Sequence, residues 1–172
     1  GAFTGALARK RGRFERADGG TLYLLSEDKR HLHFEIVRTD SLNIAFGGTS
    51  GNPVSGKFPD LPLYRDDGTP NDTMIAAYAA ISGQTVNIAD AYVAKGFDFS
   101  GTRKFDERTG YRSRSFLTVP MRDHEGEVIG VLQLINATMP SHNVVVPFSE
   151  ADQRLAESLA SQAAIALNNR QL

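Results

Sequence analysis

The chain predicts an α+β domain built around an antiparallel sheet. Two pairs of β-prone runs, within 21–37 and 114–136, are each joined by a short polar turn, and an amphipathic helical pattern follows from Ser149. Short turns join antiparallel neighbours, whereas parallel neighbours need a long crossover. With 172 residues the chain is long enough for one well-buried domain and short for two.

Composition narrows the class further. Hydrophobic residues make up 41% and charged residues 23%, the balance of a water-soluble globular chain. A net charge of −1 argues against nucleic acid or an anionic membrane as the main partner. No run approaches the ~18 consecutive apolar residues of a membrane span, and no leader pattern opens the sequence, so a cytoplasmic setting is expected. There is no cysteine, which excludes disulfides, thiolate metal sites and a cysteine nucleophile.

Residues 1–20 read as a tether, because LARKRGRFERAD has a helical composition with a basic face. Strands begin at Thr21. TLYLLS (21–26) and HLHFEIV (31–37) flank Glu-Asp-Lys-Arg, and Leu32, Phe34 and Ile36 alternate against His31, His33 and Glu35, the period of a half-buried strand. The segment 47–71 concentrates glycine, proline and small polar residues, which suits neither a long helix nor a central strand. A loop of that length fits either a lid over a pocket or a solvated insertion.

A helix follows, capped by Asn71 or Asp72, with Met74, Ile75, Tyr78 and Ile81 at helical spacing and Gly83 as its C-terminal stop. TVNI (85–88) reads as a short strand. RSFLTVPM (114–121) and VIGVLQLIN (128–136) form the second hairpin across DHEGE, where Gly126 is available for positive φ. The helix over 149–172 opens with an approximate capping box, Ser149 with Asp152, and Phe148 covers its start. Leu155, Leu159, Ala163 and Leu167 line one face. Ala156, Ala160 and Ala164 lie beside them, a strip small enough to admit a neighbouring helix, either the N-terminal helix or a second copy.

Function concentrates in Asn87–Pro120, where polar and aromatic residues mix. Asp106 and Glu107 precede a Thr-Gly-Tyr turn. Adjacent carboxylates on one segment cannot easily flank a scissile bond, and no nucleophile motif or phosphate-binding glycine loop accompanies them. The residues favour a structural carboxylate that accepts hydrogen bonds from the following turn or pairs with Arg103, Lys104 or Arg108. No catalytic residue is assigned. Gln133 is a polar residue on the face of Ile129, Val131 and Ile135, so its amide needs a protein, water or ligand partner. His31 and His33 share a strand face with Glu35 nearby, and exposed polar residues are the simpler account than a metal site.

GGTLYLL, GQTVNIADAY, FDERTGY followed by FLTVP, and GEVIGVLQLIN stand in the order and spacing of GAF domains, sensor modules of signalling proteins. The chain resembles that family over nearly its whole length. The resemblance implies a central antiparallel sheet of about six strands, with terminal helices on one face and a ligand pocket on the other. Family members that carry a bilin or reduce methionine sulfoxide need cysteine, which this chain lacks. Cyclic-nucleotide-binding members carry an Asn-Lys…Phe…Asp-Glu signature. Asn87, Asp106 and Glu107 match its Asn and acidic pair, and Phe97 or Phe99 its Phe. Ala89 stands at the Lys position, leaving Lys95 or Lys104 to pair with the acid.

By the same resemblance, Thr21, Phe34 and Glu35 fall where the first hairpin faces a bound nucleotide. Thr109 and Ser113 fall where hydroxyls meet base or ribose, and Gln133 where an amide contacts the base. The implied ligand is cyclic GMP or cyclic AMP, with no covalent cofactor. The implied partners are an effector domain on the same parent chain, such as an HD-type phosphohydrolase or a nucleotide cyclase, and a second copy through the terminal helices. The competing expectation is a dimerisation and linker module whose pocket is degenerate or filled by its own side chains.

Overall fold

The computed structural model describes residues 17–139 and 144–171. In chain order the strands are β1 (Ala17–Leu25), β2 (His31–Thr39), β3 (Ile44–Gly47) and β4 (Leu61–Pro62), with a 3-10 turn at Asp40–Leu42. Helix α1 (Ile75–Ser82), β5 (Val86–Ile88) and α2 (Ser100–Thr109) come next. They are followed by β6 (Phe116–Arg122), β7 (Val128–Met139), β8 (Val144–Val146) and α3 (Glu150–Gln171). One sheet takes the order β3-β2-β1-β7-β6-β5, with β4 paired to β2 and β8 to β7. Every pairing is antiparallel. The α+β GAF fold is therefore present, with eight strands among the described residues rather than six.

The central pair is β7 with its neighbours β1 and β6. Gly130 shows why the register is fixed: a Cβ there would lie 2.4 Å from both Met121 Cε and the Tyr23 carbonyl oxygen. The β6–β7 turn closes on Gly126 at φ 81°, as the sequence predicts. The first hairpin departs from simple alternation. Leu22 pairs with Ile36 but Tyr23 pairs with Phe34, so Glu35 is an extra residue in β2. Such a bulge moves the following side chains to the other face. Phe34 therefore packs with Tyr23, whereas Ile36 packs with Leu22. The expectation that Leu32, Phe34 and Ile36 share a face is corrected at this bulge.

Each face of the sheet meets different helices. On one, Leu22, Leu117, Val119, Met121, Leu132 and Leu134 bury against Phe148 and the alanines of α3. On the other, Tyr23, Leu32 and Val131 pack on α1 through Ala76, Ala77 and Ala79. Phe116 joins Ile75, Val86 and Phe99 beside them. Ala156, Ala160 and Ala164 are buried, and among the described residues their close neighbours are β6 and β7. The capping box forms as expected: the Ser149 amide donates to Asp152 Oδ2 and the Asp152 amide to Ser149 Oγ, both at 3.1 Å.

Several boundaries differ from the sequence reading. Sheet pairing starts at Ala17, so 17–20 belong to β1, while the rest of the expected tether lies outside the described residues. The segment 47–71 contains β4 and a bridge between Tyr64 and Pro70. Met74 occupies the cap of α1 without a side-chain bond. Asn71 instead donates to the Pro62 carbonyl, and Asp72 pairs with Arg65. Gly83 does end α1, at φ 69° with its amide on the Ala79 carbonyl.

The crowding at Gly130 generates a test. Gly130→Ala is expected to destabilise the domain by about 1–3 kcal/mol, the usual cost of overpacking, because one of the two clashing atoms is backbone. Urea denaturation of the variant beside wild type measures it, and an unchanged midpoint would contradict the packing described.

Candidate functional site

The site grows from one buried carboxylate. Asp106 sits on α2 at 5% exposure, and burying an ionised carboxylate is costly unless donors surround it. Three are present. The Ser113 amide donates to Oδ2 at 2.9 Å, the Ser113 hydroxyl donates to Oδ1 at 2.8 Å, and the Tyr92 hydroxyl donates to Oδ2. The acid is thus bound by the segment that follows the helix, one of the two structural roles the sequence allows. Neither Lys95 nor Lys104 pairs with it: Tyr92, which the sequence reading did not single out, takes the place expected of a lysine.

Both ends of the segment 111–115 are pinned. Asn136, at φ 59° within β7, accepts from the amides of Arg114 (2.7 Å) and Ser115 (3.2 Å) through Oδ1 and donates to the Arg112 carbonyl (2.8 Å). Tyr111 donates its hydroxyl to Asp18 at 2.6 Å, and Asp18 also accepts from the Ser41 amide. Burial, then the bond to Asp18, push the Tyr111 phenol well above its ordinary value. The Tyr92 phenol is raised chiefly by its bond to Asp106.

Two open crevices lie beside this knot and the strands. The first, about 440 Å³, runs between residues 94–98 and the face of α2 that carries Ser100, Arg103, Lys104 and Glu107, with Phe97 and Phe99 in its lining. The second, about 460 Å³, lies between β2 and residues 47–60 and includes His33, Phe34, Glu35 and Phe58. Pockets of this size suit small ligands when a few polar groups converge on apolar walls. Among the described residues no three histidine or acidic side chains converge as a metal set. His33 instead contacts Asp60 through Nδ1 at 2.7 Å.

The residues expected at the site divide accordingly. Phe97, Phe99 and Glu107 line the first crevice; Phe97 stacks edge-on against Tyr78 at 5.5 Å and Phe99 lies 5.8 Å from Phe116. Phe34 and Glu35 line the second. Thr21, Gln133 and Thr118 pair across β1, β7 and β6, and the Thr118 hydroxyl donates to Gln133 Oε1 at 3.0 Å. Asp106 and Ser113 hold the knot, and Thr109 closes α2 by donating to the Phe105 carbonyl at 2.7 Å. Asn87 stands apart: it pairs in register with Leu117 and donates to the Phe148 carbonyl at 3.1 Å, on the α3 side of the sheet.

The helix carrying Asp106 was not legible as a helix. SGTRKFDERT buries only its carboxylate, so hydrophobic periodicity gives no signal. The weak cues are Asp98, which accepts from the Ser100 amide, and Gly110, which ends α2 at φ 76°.

Comparison with known proteins agrees with this architecture. The family model for the GAF domain matches residues 12–167, and the chain belongs to that family. It is 39% identical over 100 residues to the dual 3',5'-cyclic-AMP and -GMP phosphodiesterase 11 of Drosophila melanogaster, covering 58% of this chain and 6% of that protein. It is 36% identical over 98 residues to phosphodiesterase 11A of Takifugu rubripes, covering 57% of this chain and 10% of that protein. The chain therefore corresponds to a small part of these relatives. Among solved structures, the GAF domain/HD domain protein of Geobacter sulfurreducens superposes with a TM-score of 0.62 at 17% identity, over 99% of this chain and 92% of that one. The GAF domain of an Acinetobacter phosphoenolpyruvate-protein phosphotransferase gives 0.58 at 17%, over 95% and 79%. At these identities the structural likeness is one of fold.

Two tests follow from the knot. Asp106→Ala should cost about 1.5–3 kcal/mol in urea denaturation, the worth of hydrogen bonds to a charged group, and an unchanged midpoint would remove the knot from the account. The phenols supply a pH signature. Raised folded values mean that the unfolded chain ionises first, so their stabilisation is complete below the ordinary value of 10.0 and is lost as pH rises past it. Stability should fall above about pH 10, and Tyr111→Phe should flatten that decline.

Proposed function

We propose that this GAF domain is a non-catalytic sensor within a larger cytoplasmic signalling protein, and that its ligand is a cyclic nucleotide, cyclic GMP or cyclic AMP. The observation that carries the reading is the first crevice. It combines aromatic walls from Phe97 and Phe99 with a charged rim of Arg103, Lys104 and Glu107, and it rests on a helix fixed by the buried Asp106. A nucleotide needs a stacking surface, polar contacts for the base edge and a favourable field for its phosphate. The cyclic nucleotide phosphodiesterases among the relatives support the same ligand class.

In this proposal the effector on the parent chain is a phosphohydrolase or a nucleotide cyclase. The ligand acts by binding two conformations unequally, since equal affinity would pass no signal. Association of two copies through the terminal helices belongs to the proposal as well. With the alanine strip committed to the sheet, the half-buried Leu155 and Ile165 are the apolar side chains of α3 that support it.

A second reading has its own support. Phe58, from the long segment after β3, lies 5.2 Å from Phe34 and 5.5 Å from Phe46, so the chain places its own ring over β2. That arrangement suits a lid, and equally a module whose second crevice is filled from within.

Calorimetric titration decides between them. Saturable heat with cyclic GMP or cyclic AMP, together with a raised melting temperature, is expected; ligand at 100 times its dissociation constant stabilises the folded state by about 2.7 kcal/mol. No heat and no thermal shift with either nucleotide at about 1 mM would overturn the cyclic nucleotide assignment.

A further inference from the structure

Three arginines gather where α2 meets the segment before β6, and they differ in what they hold. Arg114 is paired with Asp90 at 3.2 Å. Arg103 and Arg112 have no carboxylate partner in ion-pair contact among the described residues. Both lie against one tyrosine: the guanidinium carbon of Arg112 is 4.1 Å from the Tyr92 ring centroid and that of Arg103 is 5.9 Å from it. The two guanidinium groups are therefore no more than about 10 Å apart. The ring they share is itself fixed, because its hydroxyl donates to the buried Asp106. Arg103 also lines the first crevice.

We infer that Arg103 and Arg112, stacked on Tyr92, form a recognition site for a phosphoryl group at the edge of the first crevice. Guanidinium groups present forked donors that match phosphate oxygens, and stacking on an aromatic ring orients the fork before the ligand arrives. Free guanidinium groups held in place give more to a phosphate than mobile lysines do, because less side-chain freedom is lost on binding. The acidic neighbours set the selectivity. Asp90 is occupied by Arg114 and the Tyr92 amide, and Asp106 is buried under its three donors. Glu107 and Asp98 also line the crevice and suit the uncharged or donor-bearing remainder of a ligand. The site deepens the sensor reading, since it rests on the first crevice being the ligand site, and it assigns the ligand a phosphoryl group bound by side chains.

The test titrates the full 172-residue chain with inorganic pyrophosphate and, separately, with cyclic GMP, at about 150 mM salt so that diffuse attraction is screened. Resonances of the arginine Nε–H groups report the site. Pyrophosphate is expected to shift Arg103 and Arg112 saturably. Arg103→Gln and Arg112→Gln should each weaken binding at least about tenfold, and Arg114→Gln less than about twofold. Tyr92→Leu removes the stacking surface and should bind at least about fivefold more weakly. Thermal melts of each variant separate lost binding from lost folding. Absence of a saturable shift, or wild-type pyrophosphate affinity in Arg112→Gln, overturns the site. The cyclic GMP arm separates this inference from the cyclic nucleotide reading. Pyrophosphate binding with cyclic GMP silent upholds the arginine site and removes that nucleotide. Cyclic GMP binding that ignores Arg112→Gln upholds the nucleotide and removes the arginine site.

Discussion

The carboxylate of Asp106, buried and met by Tyr92 and by both donors of Ser113, is the contact on which the rest of the site depends. Without it α2 has little to hold it in place, since its other side chains are mostly exposed. With it, the outer face of α2 stands beside residues 94–98 at a fixed angle, and the first crevice exists as a shape rather than a gap between loose segments. The same bonds fix Ser113, and through it the segment whose other positions are held by Asn136. Placing an ion there is costly, and three donors offset that cost while specifying one geometry.

The knot also ties distant parts of the chain. Tyr111 reaches Asp18 at the start of the sheet, and Asp18 holds Ser41 in the turn after β2. Asn87 reaches on the opposite face to the Phe148 carbonyl, two residues before the last helix. The apolar sheet faces supply most of the burial, while these polar bonds decide how the irregular segments lie over it. Changes at α2 therefore have a physical route to β1, and the β5 contact gives the last helix a separate anchor. For the sensor proposed above, a shared rigid network is the useful property.

Legibility of the chain followed the type of force at work. Where backbone pairing and local capping govern, the sequence sufficed: the hairpin of RSFLTVPM and VIGVLQLIN, the Gly83 and Gly126 positions and the Ser149 capping box all matched the structure. Where a polar group is the buried one, patterns failed, and α2 was missed because its inward residue is an aspartate. The bulge at Glu35 was also invisible, since one inserted residue leaves the hydrophobic alternation unchanged while reversing the faces after it. Family resemblance found Asp106, yet only coordinates could show that a tyrosine rather than a lysine meets it. They also place Asn87 on the side of the sheet away from the crevices.

Amide hydrogen exchange at Ser113 measures the central contact directly. If the Asp106 carboxylate holds that amide as part of the folded core, Ser113 will exchange as slowly as Leu117 and Val119 in β6, through global unfolding. Exchange at the rate of the exposed turn amides near Gly126, in a domain whose β6 amides remain protected, would contradict the account.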